Sequence, residues 1–165
     1  MRSDASQSEL RFEKRRAEVI VSLANGDVVQ GCIFTAAGVT GHEGPERVGD
    51  LLNSDPRGFL PLEVQDGPAS RTVLINRAHV VTVAIADREA ALDAGYDVAT
   101  RRFVSMKLSG AHRVTGSIRV YRPEGHARLS DWTRQPEVFR YLETADRTLL
   151  VNTNHIIEVS EVSES

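Results

Sequence analysis

Two short segments of the chain place a histidine three residues after an asparagine: Asn76 with His79, and Asn152 with His155. A neutral imidazole can bind a metal ion or move protons near neutral pH, so each pair is a candidate site for that chemistry. No acidic residue stands at a metal-motif spacing from either pair, and asparagine is common in turns because it tolerates left-handed backbone. We therefore interpret these four residues as a paired hairpin-tip surface, and we weigh a structural role above a catalytic one.

A second repeated pattern pairs an arginine with an aspartate three positions later, Arg47 with Asp50 and Arg128 with Asp131. Residues three apart on a helical turn face each other, and opposite charges there contribute about 0.2–0.5 kcal/mol. The spacing predicts two structural ion pairs. The alternative is an exposed patch that a protein partner contacts.

The later part of the chain is basic, although the whole chain has a net charge of −3. Residues 101–159 carry ten basic side chains against six acidic ones, a net charge of +4. Basic side chains interleaved with aromatic ones are typical of nucleic-acid surfaces. Five residues form the predicted nucleic-acid or partner surface: Lys107, Arg113, Arg119, Tyr121 and Arg122.

The sequence predicts no catalytic group, no metal site and no cofactor. Its one cysteine, Cys32, has Ser117 at the corresponding later position and no nearby base to activate it. No apolar run approaches the roughly 18 residues of a membrane span, and the first residues lack the apolar core of a secretory signal. We expect a cytoplasmic protein that does not enter membranes.

These candidate residues are repeated because the segment Val19 to Val83 recurs, in diverged form, as Val104 to Val159. Identical residues recur at offsets of 85, 81, 80 and 76 positions, and the offset changes only between apolar runs. The 18 identical pairs include Val19 with Val104, Gly31 with Gly116, and Leu74 with Leu150. The sequence therefore predicts an internal duplication of one small unit.

Each unit shows the same succession of predicted elements. Alternating apolar residues predict two strands joined by a tight turn, which Asn25-Gly26 favours in the first unit. Gly31 and Gly116 lie within the second strand, where glycine typically marks a close backbone approach. One or two helical turns are expected before Pro56 and Pro136. A short strand and a β-branched segment interrupted at Asn76 or Asn152 follow, and this segment predicts a second hairpin.

The repeat divides the chain into five parts. We predict an N-terminal tail (1–16), a first β repeat (17–85), a linker with a short helix (86–102), a second β repeat (103–159) and a C-terminal tail (160–165). For the linker helix, Asp87 and Gly95 are the expected caps. Units this small are marginal alone, so we expect them to pack on each other or on a second chain.

The pattern L-x-N-G-x-x-x-x-G-x-I at the start of the unit, with V-L-I-N-x-x-H-V-V-x-V at its end, resembles the Sm-like and wider SH3-like small barrels. The resemblance implies a mainly β protein of two tandem small barrels, each with one short helix. The central-strand aspartate and asparagine of Sm-like proteins are missing, so their RNA-contacting residues cannot be transferred by position. The string RVGDLLNSDPRGFLPLE also resembles an uncharacterised bacterial family, which implies a bacterial source and no known activity.

These observations predict a non-catalytic intracellular module that binds protein partners and self-associates through exposed strand edges. Nucleic-acid binding through the basic second repeat is the leading alternative. An enzyme with a site between the repeats ranks last, because no nucleophile, base and orienting group can be assembled from the sequence.

Overall fold

The structure, a computed structural model, describes residues 14–37, 44–122, 125 and 127–164. Strands dominate this part of the chain, which confirms the prediction of a mainly β protein. The strands are β1 (Lys14–Leu23), β2 (Val28–Ala36), β3 (Phe59–Asp66), β4 (Ala69–Asn76), β5 (Val80–Ile85), β6 (Thr100–Leu108), β7 (His112–Val120), β8 (Phe139–Glu143), β9 (Thr148–Asn152) and β10 (Ile156–Glu161). The α-helices are α1 (Val48–Ser54) and α2 (Leu129–Thr133).

All ten of these strands belong to one antiparallel sheet with the order β10-β6-β7-β8-β9-β5-β1-β2-β3-β4. The first half of the chain contributes β5-β1-β2-β3-β4, and the second half contributes β10-β6-β7-β8-β9, which is the same order. A β5–β9 ladder joins the halves. The sheet is therefore continuous and open, and within the described residues β4 and β10 are its two edge strands.

The first hairpin of each half forms as the sequence predicts. β1 pairs with β2 through nine residue pairs from Lys14 with Ala36 to Ser22 with Val28. Gly26 adopts a φ of 92° in the connecting turn, a left-handed conformation that glycine adopts without a steric cost. In the second half Gly110 has a φ of 81° in the turn between β6 and β7.

The expected second hairpin is wrong in both halves. In the described part of the chain, β4 pairs with β3 alone, whereas β5 pairs with β1 and β9. A 3-10 turn over Arg77–His79 separates β4 from β5, and the backbone N–H of Ala24 donates to the carbonyl of His79 at 2.9 Å. This bond ties the end of the turn to the β1–β2 hairpin, so the chain continues beside β1. The turn Thr153–His155 acts in the same way, through Ser109.

Two glycines allow the second and third strands of each half to approach each other closely. A Cβ added to Gly31 would lie 2.5 Å from the carbonyl oxygen of Glu63, and one added to Gly116 would collide with that of Glu143. At these places β2 meets β3, and β7 meets β8, through a single residue pair. The predicted close backbone approach is confirmed at both positions.

The two halves complete each other's hydrophobic cores. Phe139 and Leu150 come from the second half but pack in the core cluster formed mainly by β1, β2, β3 and α1. In return, Val81 and Ala84 from β5 pack with the apolar residues of β6, β7 and α2. Because each core includes side chains from the other half, separating the halves would expose both cores to water.

The ends of the predicted parts differ from the observed elements. β1 begins at Lys14, inside the predicted N-terminal tail, and residues 1–13 of that tail lie outside the described residues. β10 extends to Glu161, inside the predicted C-terminal tail. The linker contains two 3-10 helices, Glu89–Leu92 and Tyr96–Val98, instead of one helix between Asp87 and Gly95. Within the described segments, no helix is both long and apolar enough to span a bilayer.

Candidate functional site

β5 and β9 face each other where the two halves meet. Their ladder runs from Thr82 opposite Val151 to Ile85 opposite Thr148, and every residue of both strands is buried. Val83 and Leu150 stand directly opposite and are both fully buried. We call this ladder, together with the turns at residues 76–79 and 152–155, the seam.

Two of the predicted hairpin-tip residues form hydrogen bonds across the seam. The Nδ2 of Asn152 donates to the carbonyl of Val80 at 2.9 Å and to that of Arg77 at 3.4 Å. The Nε2 of His155 lies 2.7 Å from the carbonyl oxygen of Ala78. A carbonyl only accepts, so Nε2 is the donor in this contact, and Nδ1 lies 3.0 Å from the Ser109 hydroxyl oxygen. The Nε2 contact joins the two halves, whereas the Nδ1 contact to Ser109 lies within the second half.

The corresponding residues of the first half have no such contacts. Asn76 and Asn152 each cap their own turn through the side-chain oxygen, which accepts from the backbone two residues later at 3.0 Å. The amide nitrogen of Asn76 and the ring of His79 form no hydrogen bond within the described residues, and His79 is exposed. No group of three or more His, Cys, Asp or Glu side chains suited to a metal ion is found in the same part of the chain.

Helix α1 fastens the start of β8 beside the seam. The Asn53 side chain accepts a hydrogen bond from the backbone nitrogen of Phe139 at 2.8 Å and donates to its carbonyl at 2.9 Å. This pair of bonds imitates a neighbouring strand, so it gives β8 a partner on the first half. Nothing in the local sequence around Asn53 indicates a contact 86 residues away.

The carboxylate of Glu89 anchors the first turn of α1 to the second half. It accepts from the backbone nitrogens of Val48 at 2.7 Å and Gly49 at 3.2 Å, and from the Tyr141 hydroxyl at 2.9 Å. Three donors, two of them at a helix start, stabilise a buried carboxylate. Burial and the adjacent Glu89 charge raise the pKa of Tyr141 far above its usual range, so this hydroxyl stays protonated and donates.

A second group of polar side chains lies between the linker and the second half. Asp93 accepts from Arg47 at 2.6 Å and from the Tyr121 hydroxyl at 3.0 Å. The hydroxyl of Tyr96 lies 2.7 Å from a carboxylate oxygen of Glu143 and 3.1 Å from an arginine nitrogen of Arg119. Burial, followed by the charge of Asp93, raises the pKa of Tyr121 above its usual range.

Apart from Tyr96, the residues of this group line a cavity of about 350 Å³ between α1, the linker and the second half. Its charged walls include Arg47, Asp93, Arg119, Arg140 and Glu143. The carboxylates and guanidinium groups bond to each other, to tyrosines and to backbone carbonyls. Arg140 donates to the carbonyls of Trp132 and Gln135. These contacts connect α1, the linker and the second half around the cavity.

The two Arg–Asp pairs take up different contacts. The Nε of Arg47 lies 3.5 Å from Asp50, and its Nη1 reaches Asp93. Asp131 accepts from the backbone nitrogen of Arg128 at 2.9 Å, as Asp50 does from that of Arg47. Among the described residues, no ion pair joins the guanidinium of Arg128 to Asp131. Both aspartates thus cap the first turn of a helix.

The structure divides the predicted basic surface. Arg119 and Tyr121 turn towards the linker and belong to the polar group beside the cavity. Lys107 and Arg113 are exposed and stand opposite each other on β6 and β7. Arg122 is exposed just beyond β7. The five residues therefore do not form one patch.

The sheet edges expose apolar residues that the sequence does not distinguish from core residues. Phe59 and Leu74 on β3 and β4 are 59% and 64% exposed, whereas the corresponding Phe139 and Leu150 are 1% and 0% exposed. Ile157 on β10 is 64% exposed, whereas the corresponding Val81 is fully buried. Large exposed apolar side chains beside unpaired strand edges mark interaction surfaces.

A comparison with protein-family models, curated proteins and solved structures finds no match to this chain.

Proposed function

We propose that this chain is a non-catalytic cytoplasmic module that binds proteins, either a separate partner or further copies of itself, through its open strand edges. In this proposal its two halves are duplicated small barrels of the Sm-like and SH3-like kind. An added strand would satisfy the unpaired backbone groups of an edge and cover its apolar side chains, which is a recurrent mode of protein recognition.

One observation carries the proposal: identical or similar apolar side chains are buried where the halves meet and exposed at the free edges. Phe59 and Leu74 repeat the types of Phe139 and Leu150. An exposed leucine or phenylalanine loses its unfavourable contact with water when a partner covers it, by about 1.5–3 kcal/mol for complete burial. The polar groups beside the cavity support the non-catalytic part of the proposal, because they form hydrogen bonds and ion pairs with each other.

The test compares capture of proteins by the wild-type chain and by edge variants. The immobilised chain is exposed to an extract of its source cells, and retained proteins are identified and quantified by mass spectrometry. We expect one protein, a separate partner or the chain itself, to be retained in stoichiometric amount and to fall roughly tenfold in the double variant Leu74→Asp/Ile157→Asp. Val98→Asp is the matched control, because Val98 is exposed away from the edge strands.

Two results would contradict the proposal. One is the absence of any stoichiometric protein together with a strictly monomeric chain. The other is retention that the double variant does not reduce.

A second candidate function is nucleic-acid binding, and one observation favours it. Lys107 and Arg113 are exposed and directly opposite on neighbouring strands, so they present two adjacent positive charges to which a phosphate group could bind. On the other side of Lys107, Glu158 of β10 stands opposite it. If a polyanion binds there, the affinity for a labelled RNA oligonucleotide falls steeply with salt, and K107E/R113E weakens it further. R57E in the first half is the control. Equal weakening by the control would reject this surface.

A further inference from the structure

The seam inside the chain provides a template for a contact between chains. Among the described residues, the same strand order in both halves leaves β4 without a partner where β9 is paired, and β10 without one where β5 is paired. We propose that β4 of one chain pairs with β10 of a second copy, antiparallel and in the register of the seam. This inference rests on the proposed protein-binding function and names the partner as the chain itself.

The sequence register specifies the residue pairs. β9 corresponds to β4, and β5 corresponds to β10, each at a separation of 76 positions, as between Leu74 and Leu150. The seam pair of Val83 with Leu150 therefore becomes Val159 with Leu74 of the other chain. Ala84 with Leu149 becomes Ser160 with Val73 in the same way.

The apolar side chains match this arrangement from both sides. In the seam, Phe139 and Leu150 enter the core of the first half, and Val81 enters the core of the second half. Between chains, Phe59 and Leu74 would enter the second-half core of the neighbour, and Ile157 would enter the first-half core. These are three of the largest exposed apolar side chains of the molecule's described residues. Their burial would also explain why residues that face water here are apolar.

The same contact between chains would give hydrogen-bond partners to the hairpin-tip residues of the first half, Asn76 and His79. Asn152 and His155 bond to carbonyls of the other half across the seam. At a junction between chains, the free amide of Asn76 would face the carbonyls of Thr153 and Ile156, and His79 would face the carbonyl of Asn154. Both halves contain this asparagine–histidine pair, but only the pair of the second half bonds across the seam. A junction between chains that copies the seam would give the first-half pair the same contacts.

The junction between chains is expected to be weaker than the seam. Arg134 stands where Asn53 stands in the first half, so the double hydrogen bond to the neighbouring strand is not reproduced. β10 also carries Glu158 and Glu161 where β5 has Thr82 and Ile85. These carboxylates disfavour pairing of two β10 strands, because like charges would meet. They thereby favour head-to-tail contacts over symmetric ones.

A head-to-tail junction can be tested by complementation. Leu74→Asp blocks the β4 edge and Ile157→Asp blocks the β10 edge, so every junction in either pure variant contains one damaged edge. In a mixture, the intact β10 of the first variant can pair with the intact β4 of the second. Multi-angle light scattering measures the mass of each sample over a range of concentrations, and circular dichroism verifies that the variants fold.

We expect the wild type and the Val98→Asp control to self-associate, and each edge variant alone to be monomeric, with self-association weakened roughly 100-fold or more. The equimolar mixture should form a one-to-one dimer. A monomeric wild type, association of Leu74→Asp alone, or a mixture that stays monomeric would each overturn the inference. Capture of a separate protein by a monomeric chain would overturn it and leave the proposed function standing.

Discussion

Single residues determine where neighbouring strands of this sheet approach each other closely and where its two halves are held together. Glu89 collects two helix N–H groups and the hydroxyl of Tyr141, so one carboxylate connects α1, the linker and β8. Gly31 and Gly116 admit a neighbouring carbonyl where any side chain would collide. A displacement of a few tenths of an ångström would disturb these contacts, so conservative substitutions at these residues test them.

The Tyr141–Glu89 contact predicts a pH dependence of stability. The folded pKa of Tyr141 is raised above its unfolded value of about 10. The stability from the protonated hydroxyl is therefore fully present below about pH 10 and is lost as the pH rises towards the folded pKa. We expect Tyr141→Phe to lower the free energy of unfolding by about 1–3 kcal/mol at neutral pH. Urea unfolding should also show a shallower decline above pH 10 than in the wild type, and equal declines would contradict this assignment.

Gly31→Ala tests the close approach of β2 to β3. The added methyl group would lie 2.5 Å from the Glu63 carbonyl, so the backbone must shift. Such overpacking typically costs about 1–3 kcal/mol, and chemical denaturation should report a loss of that size. Ser70→Ala, at an exposed position of β4, should change the stability by less than about 0.5 kcal/mol. A Gly31→Ala protein as stable as this control would show that the strands do not meet there as described.

At the level of elements, the sequence predicts local structure better than it predicts pairing. The β1–β2 hairpin follows from Asn25-Gly26 and its flanking alternation, and the short helices follow from the prolines beyond them. The β4–β5 hairpin fails because Asn76 caps a 3-10 turn whose end bonds to Ala24, a contact between residues distant in the sequence. The pairing of β5 with β9 cannot be predicted from the sequence for the same reason. Leu74 and Leu150 are identical in type, and only the neighbouring strands decide which one is buried.

The asymmetric use of identical residues predicts unequal mutational effects. Asn152→Ala removes a turn cap and leaves two buried carbonyls, those of Arg77 and Val80, without their donor. Asn76→Ala removes only the cap. Capping alone is worth about 0.5–2 kcal/mol, and an unsatisfied buried group adds about 1–3 kcal/mol. We expect urea unfolding of the monomeric chain to show the larger loss for Asn152→Ala. Equal losses would mean that the seam bonds contribute nothing measurable.

At the scale of the whole molecule, β5 and β9 form a complete junction within the chain. In our proposal, β4 and β10 are the two sides of a second junction, which forms between chains. Heterologous contacts of this kind build closed rings when the rotation between subunits closes, and open fibres when it does not. The carboxylates of β10 limit unintended edge pairing, as charges on edge strands commonly do. In our proposal, the β4 edge therefore complements the β10 edge, and neither edge complements itself.

A disulfide between β4 of one chain and β10 of another tests the proposed head-to-tail pairing most directly. Leu74→Cys and Val159→Cys are combined in a chain whose native Cys32 is replaced by serine, the residue at the corresponding position 117. Directly opposed residues on antiparallel strands lie within the Cα separation that a disulfide requires. Mild oxidation should give covalently linked multimers, identified by mass spectrometry as a bond between Cys at 74 of one chain and Cys at 159 of another. Linkage no more frequent than in a Leu74→Cys, Val98→Cys control would contradict the account.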